Sequence, residues 1–252
     1  MNLSKEISDW IKQYAKDNKR KTLVVGISGG IDSAVVSTLC AMTGLPVYAV
    51  SMPIAQLSEQ HDLSIEHGDW LTNKFINVEH LNIDLDKVYD RFYLEMLNLN
   101  MDDELALANT KSRLRMVTLH QISGAKRGIV VGTGNKVEDF GVGFYTKYGD
   151  GGVDISPIAD LMKSEVWQLG KELGVLQEII DAPPTDGLWE DGRTDQDQLG
   201  GLTYQQMERA MELDNLGAIP VGEDEKLLKK YQEIRTPNLH KMNPIPIFKK
   251  QL

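Results

Sequence analysis

Apolar positions recur along this chain at two periods, and the switching between them outlines a fold. Leu3, Ile7, Trp10, Ile11 and Tyr14 fall at helical spacing with charge between them, which predicts an amphipathic helix lying on a core or on a partner. KTLVVGI is short, β-branched and bounded by charge and glycine, as a buried strand is. DSAVVSTLCAMTG then reads as a helix closed by Gly44. PVYAVSMPI is a second strand, punctuated by Pro46 and Pro53. Leu63, His67, Trp70, Leu71 and Phe75 mark one face of a helix from Ser58 to about Phe75. FINVEHLNID follows as a third strand, then helices over about Val88–Leu97 and Asp103–Ser123, then RGIVVGT as a fourth strand. Strand and helix alternate without an internal repeat. The expected class is α/β, an open parallel sheet with helices on both faces.

After Thr133 the texture changes. GVGFYTKYGDGGVDISP carries five glycines, too many for regular structure, and predicts a long ordered loop. A helix over Lys163–Leu173 comes next, then the turn-rich DAPPTDGLWEDGRTDQDQLGG. One amphipathic helix and a basic tail, TPNLHKMNPIPIFKK, finish the chain. The aromatics Tyr145, Tyr148 and Trp189 imply that these loops fold onto something.

Composition narrows the possibilities. The 252 residues, 41% of them hydrophobic, are enough to bury a full core as one large domain or two small ones. A formal charge of -10 argues against a general role on nucleic-acid backbones and leaves room for a local basic pocket. The single cysteine, Cys40, excludes an intrachain disulfide and any CxxC pair, and its apolar helical setting marks a structural thiol. The opening residues lack a signal-peptide core and no run is long enough to span a membrane, so cytoplasm is the default expectation.

Candidate chemistry starts at VGISGGIDSAV. Parallel sheets bind ligands where the first strand feeds the first helix, and Ser28, Gly29 and Gly30 fall there. Glycine lets the backbone approach an anion, and the helix behind it offers free N–H groups. Ser28 and Ser33 add hydroxyls. The pattern is neither GK[ST] nor GxGxxG. Asp32 beside a phosphate cradle would repel the ligand unless a divalent cation lies between them, which points to magnesium.

SGGIDS resembles the pyrophosphate loop of the ATP pyrophosphatases, which cleave ATP to AMP and pyrophosphate. NTKSRLRM, VVGTGNKVEDFG, FYTKYGDGGVDISPIADLMKSEV and APPTDGLWEDG extend the likeness from about Val24 to the tail, and together resemble the NAD synthetase family. The resemblance implies a Rossmann-like fold of the adenine nucleotide alpha-hydrolase type and a single domain over residues 1–252. No nitrilase-like glutaminase segment is present, so the ammonia-using form is expected, with deamido-NAD, ATP and ammonia as substrates and a homodimer as the assembly.

Carried over by position, the resemblance puts Gly26, Ile27, Ser28, Gly29, Gly30, Ile31, Asp32 and Ser33 around the ATP phosphates. Thr133, Lys163 and Thr185 join them, and Asp32 with Glu138 would hold magnesium. Arg113, Lys147, Asp154, His240 and Lys241 would meet deamido-NAD. Asp150, an acid between glycines next to Lys147, is the candidate for holding ammonium and drawing off its proton. The sequence departs from similar chains in two places. Gln196 replaces an acid in TDQDQLGG, so that loop is assigned no ligand role, and Glu138–Lys147 is one residue longer than in some of them. Two alternatives stay open: another ATP pyrophosphatase, such as a tRNA-thiolating or GMP-forming enzyme, and a sensor that binds ATP without turning it over.

Overall fold

In the computed structural model, which describes residues 2–54, 58–189, 191–217 and 219–250, the four expected strands form one parallel sheet. β1 (Thr22–Gly26) pairs with β2 (Val47–Ser51) on one side and β4 (Gly128–Val130) on the other, with β3 (Val78–Asn82) outside β2. The order is β3-β2-β1-β4. The chain therefore builds outward from β1, then reverses and returns to its other side. That reversal opens a crevice at the carboxyl ends of β1 and β4.

Alternation within the strands sends side chains to both faces. Leu23, Val25, Val47 and Ile129 meet α1 (Leu3–Asp17), α2 (Ile31–Met42), α6 (Lys163–Leu173) and α7 (Gln177–Asp181). Val24 and Val50 face the other way, onto Leu114, Leu119 and Ile122 of α5 (Glu104–Lys126) and Tyr89 of α4 (Asp86–Asn98). Every residue of α2 from Ser33 to Ala41 is buried, and burial pushes the Cys40 thiol far up, so it is inert.

The helix α3 (Ser58–Lys74) packs on β2 and β3 and makes a buried polar contact with α2. His67 Nε2 lies 2.8 Å from the Ser37 hydroxyl, its ring stacks on Trp70, and its Nδ1 has no partner. Burial, and then the neighbouring His80, hold its pKa down at about 4. An unfolded histidine titrates near ~6.5, so between these values the unfolded chain binds more protons. Stability is expected to be complete above about pH 6.5 and to fall towards pH 4, by on the order of 3 kcal/mol from this group. Urea unfolding at several pH values checks this, and His67→Gln should flatten that part of the profile.

The carboxyl-terminal region differs from expectation. Two helices replace one, α9 (Tyr204–Asn215) and α10 (Glu223–Met242), with the four-residue α8 (Asp195–Gln198) before them. The basic tail expected from Thr236 stays helical to Met242 despite Pro237 inside it. Its anchors are polar, which an apolar periodicity does not register. Asn238 donates to Val142 O at 3.0 Å, Arg235 donates to the carbonyls of Phe140 and Gly141, and Lys241 donates to Tyr145 O at 2.8 Å. Those carbonyls belong to, or follow, a second unforeseen element, a π-helix over Lys136–Val142 that runs into the first two residues of the expected loop.

Candidate active site

The glycine turn is shaped before any ligand arrives. Gly29 adopts φ 87°, a conformation that favours glycine, and Gly30 begins α2 without a side-chain cap. Ser33 Oγ donates to Gly30 O at 2.9 Å and accepts from Ser28 N at 3.1 Å, which fixes the curl of the loop. With no side chain capping the start of α2, its first-turn amides offer a ready site for an anion.

Beside this turn the structure assembles a charged cluster from five elements of the chain. Lys163, the first residue of α6, has a side chain only 2% exposed, and its ammonium lies 2.5 Å from Asp32 Oδ2 and 2.8 Å from Glu138 Oε1. Asn135 is fully buried, donates to Asp32 Oδ1 at 3.2 Å, and caps the π-helix by accepting from Val137 N and Glu138 N. The Tyr204 hydroxyl lies 2.6 Å from Glu138 Oε1 and 3.1 Å from Asp195 Oδ2. The rings of Tyr204 and Trp167 also enclose the ammonium, at 5.0 Å and 5.8 Å.

Electrostatics in the cluster follow from burial set against pairing. Burial works to raise Glu138, but Lys163 and Tyr204 overcome it and hold that carboxyl below the usual range. For Asp32 burial outweighs the attraction of Lys163 and leaves it raised. Burial alone would lower Lys163, yet the two carboxylates drive it upward, so it is permanently charged. One ammonium thus serves two acids, and the π-helix is what delivers the second of them.

Beside the cluster lies a cavity of about 150 Å³ whose lining includes Gly132, Gly134, Asp139, Tyr145, Asp150 and Ser156. Asp150 Oδ1 accepts from the Ser112 hydroxyl at 2.8 Å and from Thr146 N at 2.9 Å. Dehydration raises its pKa against those two hydrogen bonds, although the residue keeps contact with solvent. Asp139 is raised well above the carboxylate range, chiefly by burial and then by Asp150, Glu138 and Asp32.

Three of the other expected residues, Arg113, Lys147 and His240, are linked in a chain. Arg113 Nε approaches Lys147 O at 3.4 Å, and Lys147 Nζ donates to His240 O at 3.0 Å. Both His240 and Lys241 sit in the last turn of α10. Asp154 instead accepts from Val130 N at 2.7 Å, tying off β4. Thr133 follows β4 at the crevice, and the Thr185 hydroxyl donates to Arg193 O at 3.2 Å within its own loop. Sequence reasoning missed Asn135, Asp139, Asp195 and Tyr204. An N-cap asparagine and the T-x-x-Q start of α9 were readable signals, but neither reveals what the side chains reach.

The family model described as NAD synthase matches residues 3–251. The NH(3)-dependent NAD(+) synthetase of Alkaliphilus oremlandii is 36% identical over 251 residues, covering 96% of this chain and 95% of that protein. The enzyme of the same description from Carboxydothermus hydrogenoformans is 35% identical over 207 residues, covering 81% and 82%. Among solved structures, NMN synthetase from Francisella tularensis superposes with a TM-score of 0.86 at 31% identity, covering 97% of this chain and 96% of that one. The NH3-dependent NAD synthetase from Campylobacter jejuni superposes at 0.78 with 25% identity, covering 98% of each. On sequence and fold together, the chain belongs to the NAD synthase family.

Proposed function

We propose that the protein amidates deamido-NAD with ammonia at the expense of ATP. The nicotinate carboxylate attacks the α-phosphorus, giving an adenylate and releasing pyrophosphate, and ammonia then displaces AMP to form NAD. The observation that carries this reading is the buried Lys163 held between Asp32 and Glu138 at the mouth of an uncapped glycine turn. Ser28, Gly29 and Gly30 would hold the leaving phosphates with their N–H and hydroxyl groups, and Lys163 would stabilise charge at phosphorus. Thr133 and Thr185 would flank ATP. Arg113, Lys147, Asp154, His240 and Lys241 would orient the dinucleotide, whose phosphates and carboxylate suit cationic partners.

Magnesium fits the donor set, since Asp32 and Glu138 already share one cation and magnesium takes one or two carboxylates plus phosphate oxygens. Asp32 and Glu138 would hold it, and it would neutralise the pyrophosphate as it leaves. The rest is positioning by the chain and exclusion of water, which would otherwise hydrolyse the adenylate. No described helix is long and apolar enough to cross a membrane, and cytoplasmic residence is part of this reading. So is a homodimer. Trp10 on α1 is 47% exposed, and α4 buries none of its residues while presenting Val88, Leu94 and Leu97 to solvent.

The purified chain with deamido-NAD, ATP, magnesium and ammonium should yield NAD, AMP and pyrophosphate in equal amounts, and ATP consumption without NAD would defeat the assignment. The Francisella resemblance supports a second reading, in which the acid amidated is the mononucleotide and the product NMN. The ratio of kcat/KM for the two acids decides between them. Within either reading, Asp150→Asn is expected to raise the ammonium requirement much more than the ATP requirement. Equal effects on both would remove Asp150 from that role.

A further inference from the structure

Tyr204 has one hydroxyl proton and two carboxyl neighbours, Glu138 Oε1 at 2.6 Å and Asp195 Oδ2 at 3.1 Å. Two O···O hydrogen bonds need two protons. Glu138 is paired with Lys163 and stays ionised, so it draws the phenol proton in a short charge-assisted bond. The contact to Asp195 then needs a proton of its own. Asp195 is 5% exposed, and its Oδ1 is buried without a partner. An ionised carboxylate so placed would keep a full charge with one weak hydrogen bond; a neutral acid leaves only a carbonyl unpaired, a much smaller cost.

We infer that Asp195 is held in the nucleotide-free protein as a carboxylic acid that donates to Tyr204, and that this pair positions Glu138 beside Lys163. The groups facing Asp195 agree. Glu138 on the π-helix and Asp186 in the preceding loop disfavour its charge, Lys163 on α6 favours it, and burial, the largest influence, carries it to about 7. The Asp195 carboxyl bonds to Tyr204 rather than to a group assigned to ATP. It acts through Tyr204, which also walls the Lys163 ammonium, so the loop assigned no ligand role supplies a positioning residue instead. The functional half of this inference rests on the reading of Glu138 as part of the ATP site; the protonation state does not.

Two measurements test the two halves separately. In the NAD-forming assay, with magnesium varied at saturating ATP, Asp195→Asn should stay within about threefold of the native protein, because an amide also donates to Tyr204. Asp195→Ala and Tyr204→Phe should raise half-saturating magnesium about tenfold or more, with a smaller effect on kcat. Asp195→Asn as impaired as Asp195→Ala would overturn the inference, as would no effect from Tyr204→Phe. Infrared spectra of nucleotide-free protein labelled with carbon-13 at aspartate carboxyls, taken near pH 6, should show a protonated-acid band that Asp195→Asn removes. Its absence overturns the neutral acid whatever the substrate proves to be. Its presence in a chain without NAD-forming activity would instead condemn the functional reading alone.

Discussion

Lys163→Met is expected to abolish turnover and to destabilise the nucleotide-free protein by about 3–5 kcal/mol, the usual effect of removing one partner from a buried ionic cluster. The size follows from the geometry. Asp32 and Glu138 have side chains only 17% and 15% exposed, and both direct an oxygen at the same ammonium. Methionine fills much of the volume and none of the charge, so two acids would be left repelling each other where water is scarce. Added magnesium should recover part of the lost stability, since a divalent cation can take up a position between the two oxygens. Denaturant unfolding with and without magnesium reads the effect. A loss that magnesium leaves untouched would mean that the two acids do not form a cation site.

Gly143→Ala is expected to cost about 2–3 kcal/mol, which in a chain of this size lowers Tm by several degrees. Two penalties combine. Gly143 ends the π-helix at φ 68°, which an L side chain adopts reluctantly. An added Cβ would also press on Asn238 Cβ at 2.6 Å, an atom fixed to the α10 backbone. Relief requires α10 to shift, and with it the Asn238 bond to Val142 O and the turn carrying His240 and Lys241. The substitution should therefore raise KM for the dinucleotide as well as lower Tm. Asn238→Gly loses its own hydrogen bond but should cost less stability beside Gly143→Ala than alone, because it also removes the obstructing atom, and calorimetry on the two single variants and the double checks it.

What the sequence disclosed depended on how local each signal was. Strands β1, β2 and β4 are β-branched runs bounded by glycine, proline or charge, and α2 follows its strand within five residues, so their order could be read directly. The ends of α10 could not be read that way. Its anchors are Arg235, Asn238 and Lys241 reaching backbone carbonyls, so hydrophobic spacing carries no trace of them. The site shows the same division. The turn at Ser28–Gly30 was legible from composition, whereas Lys163 meets Asp32 across 131 positions and was placed only through resemblance. Tyr204 and Asp195 had no such help. Their meaning lies in one shared hydroxyl, which appears only once α9 is folded against the π-helix.

The π-helix also sets how the acids of this segment are shared between the spaces on either side of it. An extra residue absorbed as a widened turn displaces its neighbours by one place without disturbing the flanking elements. Two adjacent acids stand at that turn and serve different compartments, Glu138 the lysine and Asp139 the cavity. Deleting one residue between Lys136 and Val142 would tighten that turn and leave one place where two acids now stand, so the lysine and the cavity would compete for a single carboxylate.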